Sequence, residues 1–170
     1  TAEAIEHVGT LAPNAYSWNE GPRIDSNTYI ARTNAKYTVA VTNSYNNTQG
    51  AEIRITNIDK IRPIVNSVVQ TKVNDKQVKL TINASDSPSS EYAASGVIGY
   101  AITTSENAPT NFQSSNEFNI TKNGRYYAWA KDRAGNISQL SDSEASGGNS
   151  SILVKDIKID VKGSITWNDQ

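Results

Sequence analysis

Four acids, one histidine and one pair of aromatics are the side chains in this 170-residue chain whose types and placement could do chemistry. Asp86, Glu91, Asp132 and Asp142 could gather at one end of a folded unit and offer carboxylate oxygens to calcium. Calcium takes about six to eight oxygens, and no acidic loop of the EF-hand type is present to supply them. The competing reading is structural. Asp132 opens the turn DRAGN, where its carboxylate can accept hydrogen bonds from turn amides while Gly135 and Asn136 suit left-handed backbone. Asn123 and Gly124 make a second turn of the same kind, and the expectation is structural turns with no metal and no cofactor. The sole histidine, His7, sits beside Glu6 near the N-terminus, where an exposed surface residue is the default. A triad would need it held in a cleft against Ser or Asp, and no carboxylate pair stands out for glycoside hydrolysis. No catalytic residue is expected, and the chain does not read as an enzyme. The aromatics lie in YYAWA, residues 126 to 130. In a strand Tyr126, Ala128 and Ala130 would face a core and Tyr127 and Trp129 the other way. Such a pair makes a flat apolar strip, suited to a partner or a sugar ring. The favoured reading is that it is covered within the chain by the loop 104–115, by the C-terminal tail with Trp167, or by the open side of the N-terminal region.

Bulk properties narrow the classes. Lysine plus arginine number 16 against 17 acids, which leaves no electrostatic footprint for nucleic acid or an anionic membrane. Cysteine and methionine are absent, so disulfides, thiol catalysis and thiolate metal sites are excluded. No run approaches the roughly 18 apolar residues of a membrane-spanning helix. The chain opens at Thr1 without an initiator methionine and reads as an excised or matured segment. Sequons at Asn46, Asn83, Asn119, Asn136 and Asn149 fit a general richness in Asn, Ser and Thr better than glycan sites.

The elements that must position these residues are strands. Val78, Leu80, Ile82 and Ala84 alternate with polar residues, the period-two pattern of a half-buried strand. Further strands are expected over 64–71, 97–103, 116–121, 125–131 and 151–161. The exception is TAEAIEHVGTLA, where Ala2, Ile5, Val8 and Leu11 recur at near-helical spacing and predict one short N-terminal helix. Short strands at even spacing predict a sandwich, with a core of Val78, Leu80, Ile82, Tyr100, Ile102, Phe118, Tyr126, Ala128 and Ile152.

Residues 27–48 and 116–137 align without a gap at a constant offset of 89 positions. Asn27, Asn34, Tyr37 and Asn47 match Asn116, Asn123, Tyr126 and Asn136, and Tyr29 pairs with Phe118. Ala35, Asn43 and Asn46 stand where Gly124, Asp132 and Gly135 stand. ITKNGRYYAWAKDRAGNIS resembles the signature of bacterial immunoglobulin-like modules, which typically read NGTYTVYVKDKAGN. ITNIDKIRPIV is similar to the junction between two such modules, and NASDSPSSEYAASGV to the loop between their second and third strands. The resemblance covers 63–160 well and 16–62 in part. It implies immunoglobulin-like sandwich modules in tandem, on surface or secreted proteins of Gram-positive bacteria, serving spacing and adhesion rather than catalysis.

The expected organisation is a partial module with an N-terminal extension over 1–62, a complete module over 63–160 and a tail over 161–170. Two strands lie between Pro63 and Tyr100, but only 15 residues precede the comparable Tyr16, so the first module is short by about two strands. The tail 154–170, another chain or upstream sequence could complete it, and an open sheet edge invites strand addition and self-association. The leading expectation is a non-catalytic extracellular stalk or adhesion module. A carbohydrate-binding accessory module of a secreted enzyme and the head of a pilus subunit are the alternatives. Partners would be a surface protein or a carbohydrate, without nucleic acid or membrane insertion.

Overall fold

The computed structural model describes residues 10–141, 150–158 and Gly163. These residues form antiparallel sheets, with no helix among them. The chain divides into two compact units. The first takes residues 10–61 with Pro88–Ala94; the second takes Arg62–Ser87 and the described residues from Ser95 on.

Unit 1 is one four-stranded sheet in the order β2-β1-β3-β4, from β1 (Leu11–Trp18), β2 (Arg23–Ile24), β3 (Ala35–Asn43) and β4 (Thr48–Ile55). Leu11 and Ala12 begin β1, so the expected N-terminal helix does not reach them; its other residues, 1–9, lie outside the described ones. β3 alternates because Tyr37 and Val39 point to one face, where Val39 joins Ala15 and Tyr16 in a small cluster flanked by Leu11, Trp18 and Val41. Trp18 stacks on Tyr29 with ring centroids 5.5 Å apart, and Tyr29 tilts against Tyr37 at 5.6 Å. The segment Pro88–Ala94 is tied here through backbone groups. Ala93 N–H donates to Ile58 O at 3.0 Å, and Asn34 Nδ2 to Glu91 O at 3.1 Å.

Unit 2 has two sheets. β5 (Ile64–Asn74), β6 (Gln77–Ser85) and β8 (Glu117–Ile120) form one, in the order β5-β6-β8. In the other, β9 (Gly124–Asp132) is flanked on one side by β7 (Val97–Thr103) and on the other by β10 (Ile137–Gln139) and then β11 (Ile152–Val154). The two inner faces share a core, as a sandwich requires. Val78, Leu80 and Ile120 meet Tyr126, Val154 and Ile157, while Val65 and Ile82 meet Ala128, Ala130 and Leu140. Tyr100, Ile102, Phe118 and Ile152 pack around these clusters, so all nine expected core positions lie in or against them. Burying Val78, Leu80 and Ile82 stabilises the unit by about 1.5–3 kcal/mol each.

The strand expected over 151–161 is shorter. After Val154 the chain leaves the ladder because Asn123 brackets Ile157: Ile157 N–H donates to Asn123 Oδ1 at 2.9 Å and Asn123 Nδ2 to Ile157 O at 2.7 Å. Ile157 is then buried in the core, and Lys158 N–H donates to Asp75 O. The first residues of the supposed tail therefore belong to unit 2. The remainder, 159–170 apart from Gly163, lies outside the described residues.

Candidate functional site

Of the expected turn residues, Asp132, Gly135 and Asn136 form a hydrogen-bonded end on unit 2, while Asn123 and Gly124 lie at the opposite end of β9. Asp132 closes β9 and is fully buried. Its Oδ1 accepts from Asn136 N–H and its Oδ2 from Asn136 Nδ2, both at 2.8 Å. Asp132 N–H donates to Asn136 O, and Gly135 N–H to Asp132 O. This tight return requires a left-handed residue, supplied by Gly135 with φ 98°. The β6–β7 loop joins the same end: Arg133 N–H donates to Gly96 O, Ala134 N–H to Ser95 Oγ, and Gly96 N–H to Asp86 Oδ2 at 2.7 Å.

Two of the four expected acids are brought together there. Carboxylate oxygens of Asp86 and Asp132 lie within 4.8 Å of each other, and the buried Asp86 Oδ1 meets no hydrogen-bond donor among the described residues. Glu91 belongs to unit 1, and Asp142 lies outside the described residues. Both Asp132 oxygens already accept bonds from the turn, so its carboxylate acts first as the turn's acceptor.

The aromatic pair has separated into two environments. Trp129 is only 6 % exposed, and its Nε1 donates to Thr103 Oγ1 at 2.9 Å. Its cross-strand neighbours are Ala101 on β7 and Gln139 on β10. Tyr127 stays half-buried and donates its hydroxyl to Glu106 Oε1 at 3.2 Å, so the loop 104–115 reaches over this face. Partial burial, with the Glu106 carboxylate beside it, raises the Tyr127 phenol above its ordinary value. As a stacking surface the pair offers Tyr127 and little of Trp129. Trp167 and His7 lie outside the described residues.

Unit 1 carries a second polar feature. A groove of about 390 Å³ is lined by Asn34, Lys36, Arg54, Ser89, Glu91 and Tyr92 among others. Lys36 is paired with Glu52 at 3.0 Å, and Ser89 Oγ accepts from the Glu91 and Tyr92 amides.

Several ties were missed in the sequence. Asn34 brackets Ile58 as Asn123 brackets Ile157: Ile58 N–H donates to Asn34 Oδ1 at 2.8 Å and Asn34 Nδ2 to Ile58 O at 2.9 Å. Tyr37 hydroxyl donates to Thr33 O at 2.8 Å, and Tyr126 hydroxyl to Lys122 O at 2.7 Å. Asn43 takes the part of Asp132, accepting at Oδ1 from Tyr45 and Asn47 amides, and Asn46 supplies the left-handed residue with φ 64°. The matched Asn and Tyr positions were the available signal. Asp75 is another unread tie, accepting from Lys158 Nζ and Lys72 Nζ, both at 2.6 Å. No protein-family profile, characterised protein or solved structure matches the chain.

Proposed function

We propose that the chain is a piece of a tandem array of immunoglobulin-like modules, serving as a non-catalytic stalk or adhesion segment outside the cell. The observation that carries this reading is the tyrosine tie repeated at an offset of 89 positions, Tyr37 to Thr33 and Tyr126 to Lys122. A tyrosine at the start of a central strand, bonded back to the backbone a few residues upstream, is a hallmark of immunoglobulin-like sandwiches. Strand order supports it. Reading β5, β6 and β8 as strands A, B and E, and β7, β9 and β10–β11 as C, F and G, gives the two sheets of that fold, lacking only D. Repetition of one local geometry favours a spacing role, in which mechanical integrity matters more than a pocket.

Pulling the whole chain from its two ends in a force spectrometer tests this. Unit 2 is expected to yield in one abrupt event, since its strands share one core. Gradual extension without a discrete rupture would remove the stalk reading. A parallel measurement in gels containing soluble polysaccharides is expected to show no retardation. Retardation abolished by Tyr127→Ala would replace the stalk with the carbohydrate-binding alternative.

A further inference from the structure

The edge strand β4 pairs with β3 alone among the described residues, and all of it but the last residue is exposed. Natural sheets guard such an edge with Pro, Lys, a bulge or a very short strand. β4 runs eight residues, TQGAEIRI, without Pro or Lys, and its register against β3 is unbroken from Ala35↔Ile55 to Thr42↔Thr48. Its only charges, Glu52 and Arg54, are of opposite sign.

The ladder fixes where the backbone groups of β4 point. Antiparallel pairs alternate between those that exchange N–H···O bonds and those that do not. Asn43 N–H donates to Asn47 O at the hairpin end, so the bonded pairs counted from there are Val41 with Gln49, Val39 with Ala51 and Tyr37 with Ile53. Thr38 agrees, because its backbone turns to the other side, accepting from Asn19 N–H and donating to Asn19 Oδ1. The amides and carbonyls of Gly50, Glu52 and Arg54 therefore point away from β3, with no strand opposite them among the described residues.

Side chains alternate on the same strand. Glu52 and Arg54 share one face, and Ala51, Ile53 and Ile55 the other, with Ile53 57 % exposed. Register sets Arg54 directly opposite Lys36, a like-charged cross-strand pair that costs stability. Lys36 is relieved by Glu52 at 3.0 Å, but Arg54 has no carboxylate partner among the described residues.

We propose that β4 pairs antiparallel with β4 of a second copy of this chain, about a two-fold axis at Ile53. In that register Glu52 faces Arg54 of the second copy, and Arg54 faces its Glu52, while the outward backbone groups of both residues bond across the seam. On the other face Ile53 meets Ile53 and Ala51 meets Ile55. The adjacent symmetric registers are disfavoured. Moving the axis to Glu52 sets Glu52 against Glu52, and moving it to Arg54 sets Arg54 against Arg54, where like charges repel. The strand is thus complementary to itself in charge, and that complementarity names a second copy as the occupant. This pairing is independent of the stalk role.

The test is sedimentation of the full chain over a range of concentrations. The parent should show a concentration-dependent dimer. Glu52→Arg and Arg54→Glu, each alone, set like charges opposite at both ends of the seam and should weaken the dimer about tenfold or more. Both side chains are exposed, so each variant should melt like the parent. An equimolar mixture of the two variants restores opposite charges at both positions and should dimerise again. In the parent, hydrogen exchange at the Glu52 and Arg54 amides should slow as concentration rises, while the Ile53 amide, already bonded to Tyr37, should not change. A parent that stays monomeric up to about 1 mM would overturn the proposal. Single variants that dimerise as well as the parent, or a mixture that fails to recover, would overturn it too.

Discussion

Removing the Trp129 indole would empty a nearly buried site between Ala101 and Gln139 and take away one of the two hydrogen bonds of the Thr103 hydroxyl, which still donates to Ser105 O. Trp129→Ala is expected to cost about 3 kcal/mol or more, read as a lower denaturant midpoint in chemical unfolding. A protein that unfolds like the parent would mean that the indole serves a partner instead. Asp132 makes a different case, because its contribution is directional. Asp132→Ala leaves the amide and side-chain nitrogen of Asn136 without their carboxylate acceptors, a loss of about 1–3 kcal/mol. If the carboxylate serves the turn alone, excess chelator leaves the melting temperature of the parent unchanged. A fall of several degrees would reveal a bound cation adding stability by mass action. The turn role could be read from the residue types in DRAGN. For Trp129, period-two alternation assigns only a face, and its cover within the chain is expected from the general rule that a large aromatic finds cover rather than from the pattern itself.

At the scale of elements, β6 was readable because its apolar residues recur at alternate positions along a single strand. The end of β11 was not, because it depends on Asn123 reaching Ile157, 34 positions away. The clasp around Asp75 is equally non-local. Hydrogen bonds from Lys158 and then Lys72 lower the Asp75 carboxyl to about 2. Its folded value therefore lies below the ordinary carboxylate value of about 3.9. A group depressed on folding contributes stability above its unfolded value and loses it as pH falls toward the folded one. The clasp should thus hold at neutral pH and weaken progressively between about pH 4 and 2. Carboxyl carbon shifts should place the Asp75 midpoint near 2, and Lys158→Ala should move it upward. A midpoint unmoved by that change would assign the depression to Lys72. Both lysines are well exposed, so only a small effect on overall stability is expected.

For the whole molecule, the two units differ in how completely each buries its own apolar face. Unit 2 closes a core between two sheets, whereas unit 1 presents one sheet whose outer strand β4 is almost wholly exposed. A few strands with a half-covered face are marginal in water. Residues 62–170 expressed alone should therefore unfold in one transition, with calorimetric and van't Hoff enthalpies in agreement. Cutting at this point takes Pro88–Ala94 away from Asn34 and Ile58. Those bonds hold a surface loop rather than the core, so their loss should leave the transition cooperative. Residues 1–61 expressed alone should instead melt broadly and at lower temperature. Two sharp and equally stable melts would mean that the exposure of β4 costs unit 1 little. A broad melt for 62–170 would place the fault in the boundary at Arg62.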